Sequence, residues 1–106
     1  MEAYYVYILR CRGGSLYTGI TNDMEHRMAA HLRGKGAKYT RSHPPEAVAA
    51  LWRCEDKSAA ARLEYAVKVK LTRAQKLELV AAPERVGKWF PELPGAYTAM
   101  EPPVLE

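Results

Sequence analysis

A β-hairpin near the N-terminus is the feature that most limits how this 106-residue chain can fold. Residues 4–10 (YYVYILR) are β-branched and aromatic, which favours a strand, and the same pattern resumes at 16–20. Between them, the Gly-Gly-Ser sequence at 13–15 is a turn signal, so the two strands are predicted to pair antiparallel. Since side chains alternate along a strand, Tyr7 is expected on one face of the sheet and Val6 on the other.

The first predicted helix places polar side chains where apolar ones are expected. Asn22, followed three residues later by Glu25, has the pattern of a capping box and predicts a helix over 23–33. At 100° per residue, His31 falls inside the apolar stripe of this helix and Arg27 at its border. Polar groups that face a core need a partner or a function, so both residues are candidates for a site.

The second predicted helix has the same peculiarity. It spans about 59–71 with Ser58 as its cap, and Glu64 lies within its apolar stripe. A carboxylate in that position requires an ion pair, a metal or another explanation. A further capping box at 72–75 predicts a third helix over 73–82, which Pro83 ends.

These elements predict the fold class and the domain organisation. With a third strand at 47–54, the order is β-β-α-β-α-α, which is typical of an α+β fold with a three-stranded, mostly antiparallel sheet flanked by helices. We expect a domain over 1–82 and a Pro-rich extension over 83–106 that is extended, partly packed and loose from about residue 99. The apolar Trp89–Tyr97 segment is expected to anchor this extension on the domain or on a protein partner.

The positive charge of the chain is concentrated in one segment. The net charge is +4, and outside residues 33–43 (RGKGAKYTRSH) 12 basic residues face 12 acidic ones. A Gly-spaced basic loop that contains an aromatic residue suits a phosphate backbone, so DNA is the expected partner and RNA is not excluded. A solvated loop is the alternative interpretation. The candidate nucleic-acid-binding residues are Arg33, Lys35, Lys38, Tyr39 and Arg41.

Composition indicates the broad class of protein. The apolar fraction of 48% and the charged fraction of 26% are typical of a globular domain, and no stretch is apolar enough for a membrane span. The N-terminus lacks the pattern of a signal peptide, which predicts a cytoplasmic protein without a membrane partner. Cys11 and Cys54 are expected to be buried free thiols. A monomer or a weak homodimer is expected.

The candidate residues match the needs of phosphodiester hydrolysis. This reaction needs a cation on the phosphate, a positioned water and a proton acceptor. In sequence and spacing the chain resembles the GIY-YIG nuclease superfamily over roughly residues 4–80, although tyrosine replaces the first glycine and threonine the second isoleucine of the name. The runs 17–23 (YTGITND) and 34–40 (GKGAKYT) are similar to those of its small stand-alone YhbQ-like (UPF0213-type) bacterial branch. The matching positions are Tyr5-Val6-Tyr7, Tyr17-Thr18-Gly19, Arg27, His31 and Glu64.

The resemblance implies a metal-dependent DNA endonuclease that is either weakly specific or structure-selective, with DNA repair as the expected role. Glu64 would be the one protein ligand of Mg²⁺ or Mn²⁺, unless it serves only as the ion-pair partner of Arg27. Arg27 would stabilise charge on the phosphate. Either Tyr17 or Tyr7 would position or deprotonate the attacking water while the other holds phosphate, and His31 would assist the base or contact phosphate. The alternatives are half-buried sheet packing for each tyrosine and a core histidine hydrogen-bonded to the backbone for His31.

One position departs from some members of the superfamily. They carry a lysine after the second motif's glycine that helps tyrosine act as a base, and Ile20 stands there in this chain. His31 or Lys35 is therefore a further candidate for part of that role. Two alternatives to an active enzyme remain: a nucleic-acid-binding module without turnover, and a nuclease subunit that needs a partner.

Overall fold

The computed structural model describes residues 3–93 and 97–105. Four strands and five helices follow one another within that part of the chain, with 3-10 turns at Arg12–Gly14 and Pro83–Arg85. The strands are β1 (Tyr4–Cys11), β2 (Leu16–Thr21), β3 (Pro45–Cys54) and β4 (Tyr97–Met100). The helices are α1 (Met24–Leu32), α2 (Lys38–Ser42), α3 (Lys57–Lys70), α4 (Arg73–Ala81) and α5 (Val86–Trp89).

The strands form one antiparallel sheet with the order β2-β1-β3-β4. The predicted α+β class and the N-terminal hairpin are confirmed, and Gly13 and Gly14, both at φ +86°, make the turn in a conformation that glycine tolerates best. The predicted strand number was wrong, because β4 adds a fourth strand along β3, where Tyr97 pairs with Cys54 and Met100 with Leu51. The prediction of a loose tail from about residue 99 was therefore wrong for residues 99 and 100, which belong to β4.

Each face of the sheet has its own core, as strand alternation predicts. On one face, Val6 and Ile8 of β1 pack with Trp52, α3 and α4 in the larger core. On the other face, Tyr7 and Leu9 pack with residues of α1 and β3 in a smaller core. The tyrosine that matches the first family motif is therefore held between the sheet and α1.

Two of the three predicted helix caps were wrong by one or two residues. The N-cap of α1 is Asp23, which accepts a hydrogen bond from the backbone nitrogen of His26, and not Asn22. The N-cap of α3 is Asp56, and the predicted cap Ser58 lies in the first turn instead. Adjacent Asn, Asp and Ser residues are all good caps, so local preference did not distinguish them. The capping box of α4 at 72–75 is confirmed.

The C-terminal extension packs on the larger core of the domain. Its first part is helical and not extended, since a 3-10 turn and α5 follow Pro83, whose carbonyl accepts a hydrogen bond of 2.8 Å from Nε1 of Trp52. Phe90 is 4% exposed, and Trp89 packs beside it against this core. The Trp89–Tyr97 segment thus contacts the domain itself where it is described, although residues 94–96 lie outside the described part. The division at residue 82 stays a prediction.

The structure shows the state of the two cysteines and the character of the helices. Cys11 and Cys54 are free and buried, as expected, and burial raises the pKa of the Cys54 thiol to about 12. Across residues 3–93 and 97–105, no helix combines the length and the apolar character that crossing a membrane requires.

Candidate active site

The fold brings four of the five predicted catalytic residues into one hydrogen-bonded and aromatic cluster. Tyr7 of β1 lies between two residues of α1: its hydroxyl oxygen accepts a hydrogen bond of 3.4 Å from Nε of Arg27 and lies 2.9 Å from Nε2 of His31. The ring of Tyr17 on β2 lies 6.5 Å from that of Tyr7 and 5.8 Å from that of His31, centre to centre. Residues far apart in sequence therefore surround one point between the sheet and α1.

The direction of the hydrogen bonds follows from Thr40, a residue that the sequence did not single out. Its hydroxyl donates to the carbonyl of Ala37 at 2.9 Å and lies 2.8 Å from Nδ1 of His31. A hydroxyl has one proton, so Thr40 must accept from His31, which carries its proton on Nδ1. Nε2 of the neutral ring is then an acceptor, and the hydroxyl of Tyr7 donates to it. Since Arg27 donates to Tyr7, all four hydrogen bonds point in one direction, from Arg27 through Tyr7, His31 and Thr40 to the carbonyl of Ala37.

The environment keeps His31 neutral. Its side chain is 1% exposed, and burial, reinforced by the positive charge of Arg27, lowers its pKa from 6.5 to about 4. A core histidine was one expectation and a helper of catalysis the other. The residue is a core histidine whose partners are two side chains rather than the backbone.

The pKa values of Tyr7 and Arg27 are shifted as well. Burial raises the pKa of Tyr7, which is fully buried, and only the hydrogen bond and charge of Arg27 oppose that change. The same hydrogen bond raises the pKa of Arg27, against the effect of its partial burial. Tyr7 is consequently a neutral phenol and Arg27 a permanent cation. Of the two motif tyrosines, the half-buried Tyr17 is the one that solvent reaches.

The side chains of Tyr7 and His31 occupy space that is free only because residues 19 and 36 are glycines. A Cβ atom on Gly19, which pairs with Tyr7 across the hairpin, would lie 2.5 Å from the Tyr7 hydroxyl oxygen. A Cβ atom on Gly36 would overlap the ring of His31. The glycine of the second family motif is therefore required for packing, because the ring of Tyr7 lies directly across it.

Glu64 reaches the same site from α3. Its side chain is 24% exposed, and Oε2 lies 3.4 Å from Nζ of Lys68, one helical turn later. Its negative charge is the smallest of the effects that raise the pKa of Tyr7. The expected ion pair with Arg27 is replaced by this pair with Lys68. Nζ of Lys68 also lies over the ring of Tyr17, 5.7 Å from its centre.

The donor atoms of the site suit a hard divalent cation better than zinc. In the part of the chain that the structure describes, no three His, Cys, Asp or Glu residues group in a way that could hold a metal. A structural zinc ion needs four such protein ligands, whereas Mg²⁺ commonly uses one or two carboxylates and takes its other ligands from water and phosphate. The half-exposed carboxylate of Glu64 fits the second case.

The predicted basic loop is partly a helix. Its charged residues are exposed, while α2 occupies Lys38–Ser42 and is tied to the cluster through Thr40 and His31. Tyr39 on this helix stacks on Tyr17 with ring centres 5.9 Å apart. The candidate nucleic-acid-binding segment is thus attached to the candidate catalytic residues, which a loop merely in solvent would not be.

Sequence reasoning missed three residues of this region: Thr40, Lys68 and His43. Thr40 ends the run 34–40 that carries part of the family resemblance, but nothing in that run assigned it a role. The spacing of Lys68, four residues after Glu64, was a usable signal for an ion pair on one helix face. His43 lies at the C-cap of α2, where its ring stacks on Tyr39.

Comparisons with known proteins define the class. A family model described as the GIY-YIG catalytic domain matches residues 3–78, which is more than half of the chain. The chain therefore belongs to the GIY-YIG family, as its motifs predicted.

Its relatives include proteins designated UPF0213. The UPF0213 protein of Xanthomonas axonopodis pv. citri is 47% identical over 85 residues, covering 80% of this chain and 82% of the relative. That of Oceanobacillus iheyensis is 50% identical over 84 residues, covering 79% and 96%. The solution NMR structure of the UPF0213 protein from Bacillus halodurans is 45% identical, with a TM-score of 0.50, and covers 79% of this chain and 92% of that one. These designations state no activity, so they support the family and the fold but not a reaction.

Proposed function

We propose that this protein is a metal-dependent endonuclease that hydrolyses phosphodiester bonds of DNA. The observation that carries the proposal is the one-directional series of hydrogen bonds that connects Arg27, Tyr7 and His31. The carboxylate of Glu64 is linked to the same site through Lys68, whose Nζ lies over the ring of Tyr17. The hydrogen bonds fix the cation of Arg27 at a site where Tyr17 is accessible to solvent and a carboxylate is close by. Membership of a nuclease family supports the same chemistry.

In this proposal, Arg27 binds the phosphate. The hydrogen bond from its Nε to Tyr7 orients the plane of the guanidinium, and its raised pKa keeps it charged. A planar, permanently charged group can stabilise the negative charge that develops on the phosphate oxygens. Tyr7 is a positioning residue, because it is fully buried and its hydroxyl is used on both sides, by Arg27 and by His31.

Tyr17 positions or deprotonates the attacking water. It is the more exposed of the two motif tyrosines and lies beside both Tyr7 and His31. Nζ of Lys68 lies over its ring, 5.7 Å from the centre, which makes Lys68 a candidate for the role of the lysine that Ile20 replaces. His31, the earlier candidate for that role, is neutral and cannot supply such a charge.

Glu64 is the protein ligand for the divalent cation, Mg²⁺ or Mn²⁺. When bound, such a cation polarises the phosphate and lowers the proton affinity of a bound water. Glu64 must exchange its ion pair with Lys68 for that cation, which a half-exposed pair between flexible side chains permits at little cost.

A cleavage assay tests the proposal. Supercoiled plasmid, single-stranded and branched DNA, and RNA would be incubated with Mg²⁺, Mn²⁺ or EDTA. We expect nicking that requires metal, that Glu64→Gln abolishes, and that Tyr17→Phe lowers by roughly 100-fold or more. Glu78→Gln and Tyr65→Phe, changes at exposed positions on α4 and α3, serve as matched controls and should cleave like the wild type.

The other outcomes separate the alternatives. Equal cleavage by the wild type and Glu64→Gln would contradict the proposed metal ligand. Binding without cleavage under any condition would favour a nucleic-acid-binding module, and cleavage only after a partner is added would favour a subunit of a larger nuclease. Structure selectivity, a role in DNA repair and a cytoplasmic location remain predictions from the sequence.

A further inference from the structure

Three aromatic rings form a stack that begins in the candidate active site and ends at the surface. The rings of Tyr17 and Tyr39 are nearly parallel, 15° apart in plane with centres separated by 5.9 Å. Those of Tyr39 and His43 are 11° apart with centres separated by 4.3 Å. In contrast, the contacts of Tyr17 with Tyr7 and His31 are tilted or edge-on. The parallel arrangement is specific to the direction that leads away from the core.

The outer rings of this stack are held in place by the site itself. Thr40, which lies between them in sequence, binds Nδ1 of the buried His31 at 2.8 Å. Nδ1 of His43 lies 3.3 Å from the carbonyl oxygen of Tyr39. Gly36 passes so close to His31 that no side chain fits there. α2 is therefore docked on α1 through buried contacts, and its exposed rings have a defined orientation.

Packing in a core does not explain the exposed rings. Tyr39 is 38% exposed, His43 is exposed as well, and neither belongs to the two hydrophobic cores. The four cations near them in sequence, which are also exposed, make no salt bridge within residues 3–93 and 97–105. These cations are Arg33, Lys35, Lys38 and Arg41.

Aromatic faces beside unpaired cations form the usual surface for single-stranded nucleic acid. Bases stack on the rings while the cations follow the phosphates. A base inside a duplex has both faces covered by its neighbours and cannot stack on a protein ring. An unpaired base has a free face. The stack therefore selects strands with unpaired nucleotides.

We propose that the exposed ring of His43 stacks an unpaired nucleobase near the phosphate that is cut, so that the Tyr17–Tyr39–His43 stack continues into the nucleic acid. This inference rests on the proposed nuclease function and adds a substrate class to it: DNA with unpaired nucleotides beside the cleavage point, such as single strands, flaps or forks. His43 and Tyr39 are then specificity-determining residues outside the catalytic group.

Binding measured without turnover tests the inference. A fluorescein-labelled 12-nucleotide thymidine oligomer and a duplex of equal length would be titrated with protein in EDTA, by anisotropy, over a series of KCl concentrations. Stacking on one base corresponds to between about 5-fold and 100-fold in affinity. We expect His43→Ala to weaken binding of the single strand within that range, to leave duplex binding unchanged, and to leave the salt dependence unchanged.

Two matched variants separate stacking from the other contributions. His43→Phe keeps a flat ring without the imidazole nitrogens and should bind the single strand like the wild type. Lys38→Ala removes one phosphate contact and should instead reduce the slope of log K against log[salt] by about 0.7 on the single strand. Because His43 and Lys38 are exposed, we expect these variants to fold like the wild type. Circular dichroism verifies this before binding is measured.

Several results would overturn the inference. Equal losses for His43→Ala and His43→Phe would mean that the imidazole nitrogens, and not stacking, make the contact. Equal losses on single strand and duplex, or no binding of the single strand by the wild type, would remove the selectivity that is claimed. Absence of cleavage in the metal assay would refute the nuclease but leave this binding result standing, so the two failures are distinguishable.

Discussion

The buried, neutral His31 makes a quantitative prediction about how acid affects stability. In the unfolded chain this imidazole has an ordinary pKa of 6.5, whereas burial beside Arg27 lowers the pKa to about 4 in the folded protein. Above pH 6.5 neither state binds the proton, so the shift has no effect there. Between pH 6.5 and 4 the unfolded state binds the proton and the folded state does not, so stability falls as the pH falls.

The size of this loss follows from the two pKa values. Each tenfold difference in proton affinity corresponds to about 1.4 kcal/mol. The fall from 6.5 to about 4 therefore removes roughly 3 kcal/mol from the free energy of unfolding by pH 4, with about 2 kcal/mol already lost at pH 5. For a domain whose total stability is about 5–15 kcal/mol, this is a large fraction.

Urea denaturation at a series of pH values, followed by circular dichroism, measures the effect. The comparison is with His31→Gln, whose amide can still contact Tyr7 and Thr40 but does not titrate. We expect its stability to change less than that of the wild type between pH 7 and 5, even if it is lower at pH 7. His26→Gln, at an exposed position of the same helix, should keep the pH dependence of the wild type.

Parallel stability curves for the wild type and His31→Gln would refute the reasoning. If His31→Gln does not fold, NMR of the wild-type imidazole decides: protonation of the His31 ring in the native protein between pH 7 and 5 would show that burial does not keep it neutral. A bare Nε2 and a protonated Nδ1 at pH 7 are the expected signature.

Replacing Thr40 by valine keeps the side-chain shape but leaves Nδ1 of the buried His31 without an acceptor; we expect a loss of about 1–3 kcal/mol in urea denaturation, and Thr40→Ser should retain most of the stability. A wild-type-like Thr40→Val would contradict the direction assigned to the hydrogen bonds. Gly19→Ala should cost about 1–3 kcal/mol because a Cβ atom there meets the ring of Tyr7, whereas Gly87→Ala, in a helix with open space around it, should be neutral or stabilising in thermal denaturation. Equal melting temperatures for the two alanine variants would show that Tyr7 can move away from Gly19.

Local patterns were sufficient wherever one segment determined its own structure. The hairpin, the alternation that separates Tyr7 from Val6, and the capping box at 72–75 were all predictable, since each depends on neighbouring residues only. The caps Asp23 and Asp56 were missed because neighbouring residues had nearly equal capping preference. The candidate catalytic positions could be named because their spacing follows a family pattern.

Long-range pairing was beyond those patterns. β4 has only four residues, in a sequence rich in proline, and it becomes a strand because β3 offers it an open edge. Thr40 and His31 are nine residues apart, and their hydrogen bond forms only because the chain turns back at Gly36. The ion pair of Glu64 is local by contrast, since Lys68 lies one turn further along α3, and its spacing was a usable signal.

The sequence by itself determined the α+β class, the family, and which residues are unusual enough to form a site. Only the tertiary structure decided their states: that Tyr7 is buried and neutral, that the neutral His31 accepts a hydrogen bond from its hydroxyl, and that Tyr17 remains accessible. The physical reason is that periodicity and capping are properties of a short stretch of chain. Protonation and hydrogen-bond direction depend instead on the solvent removed and the charges brought close when distant segments pack together.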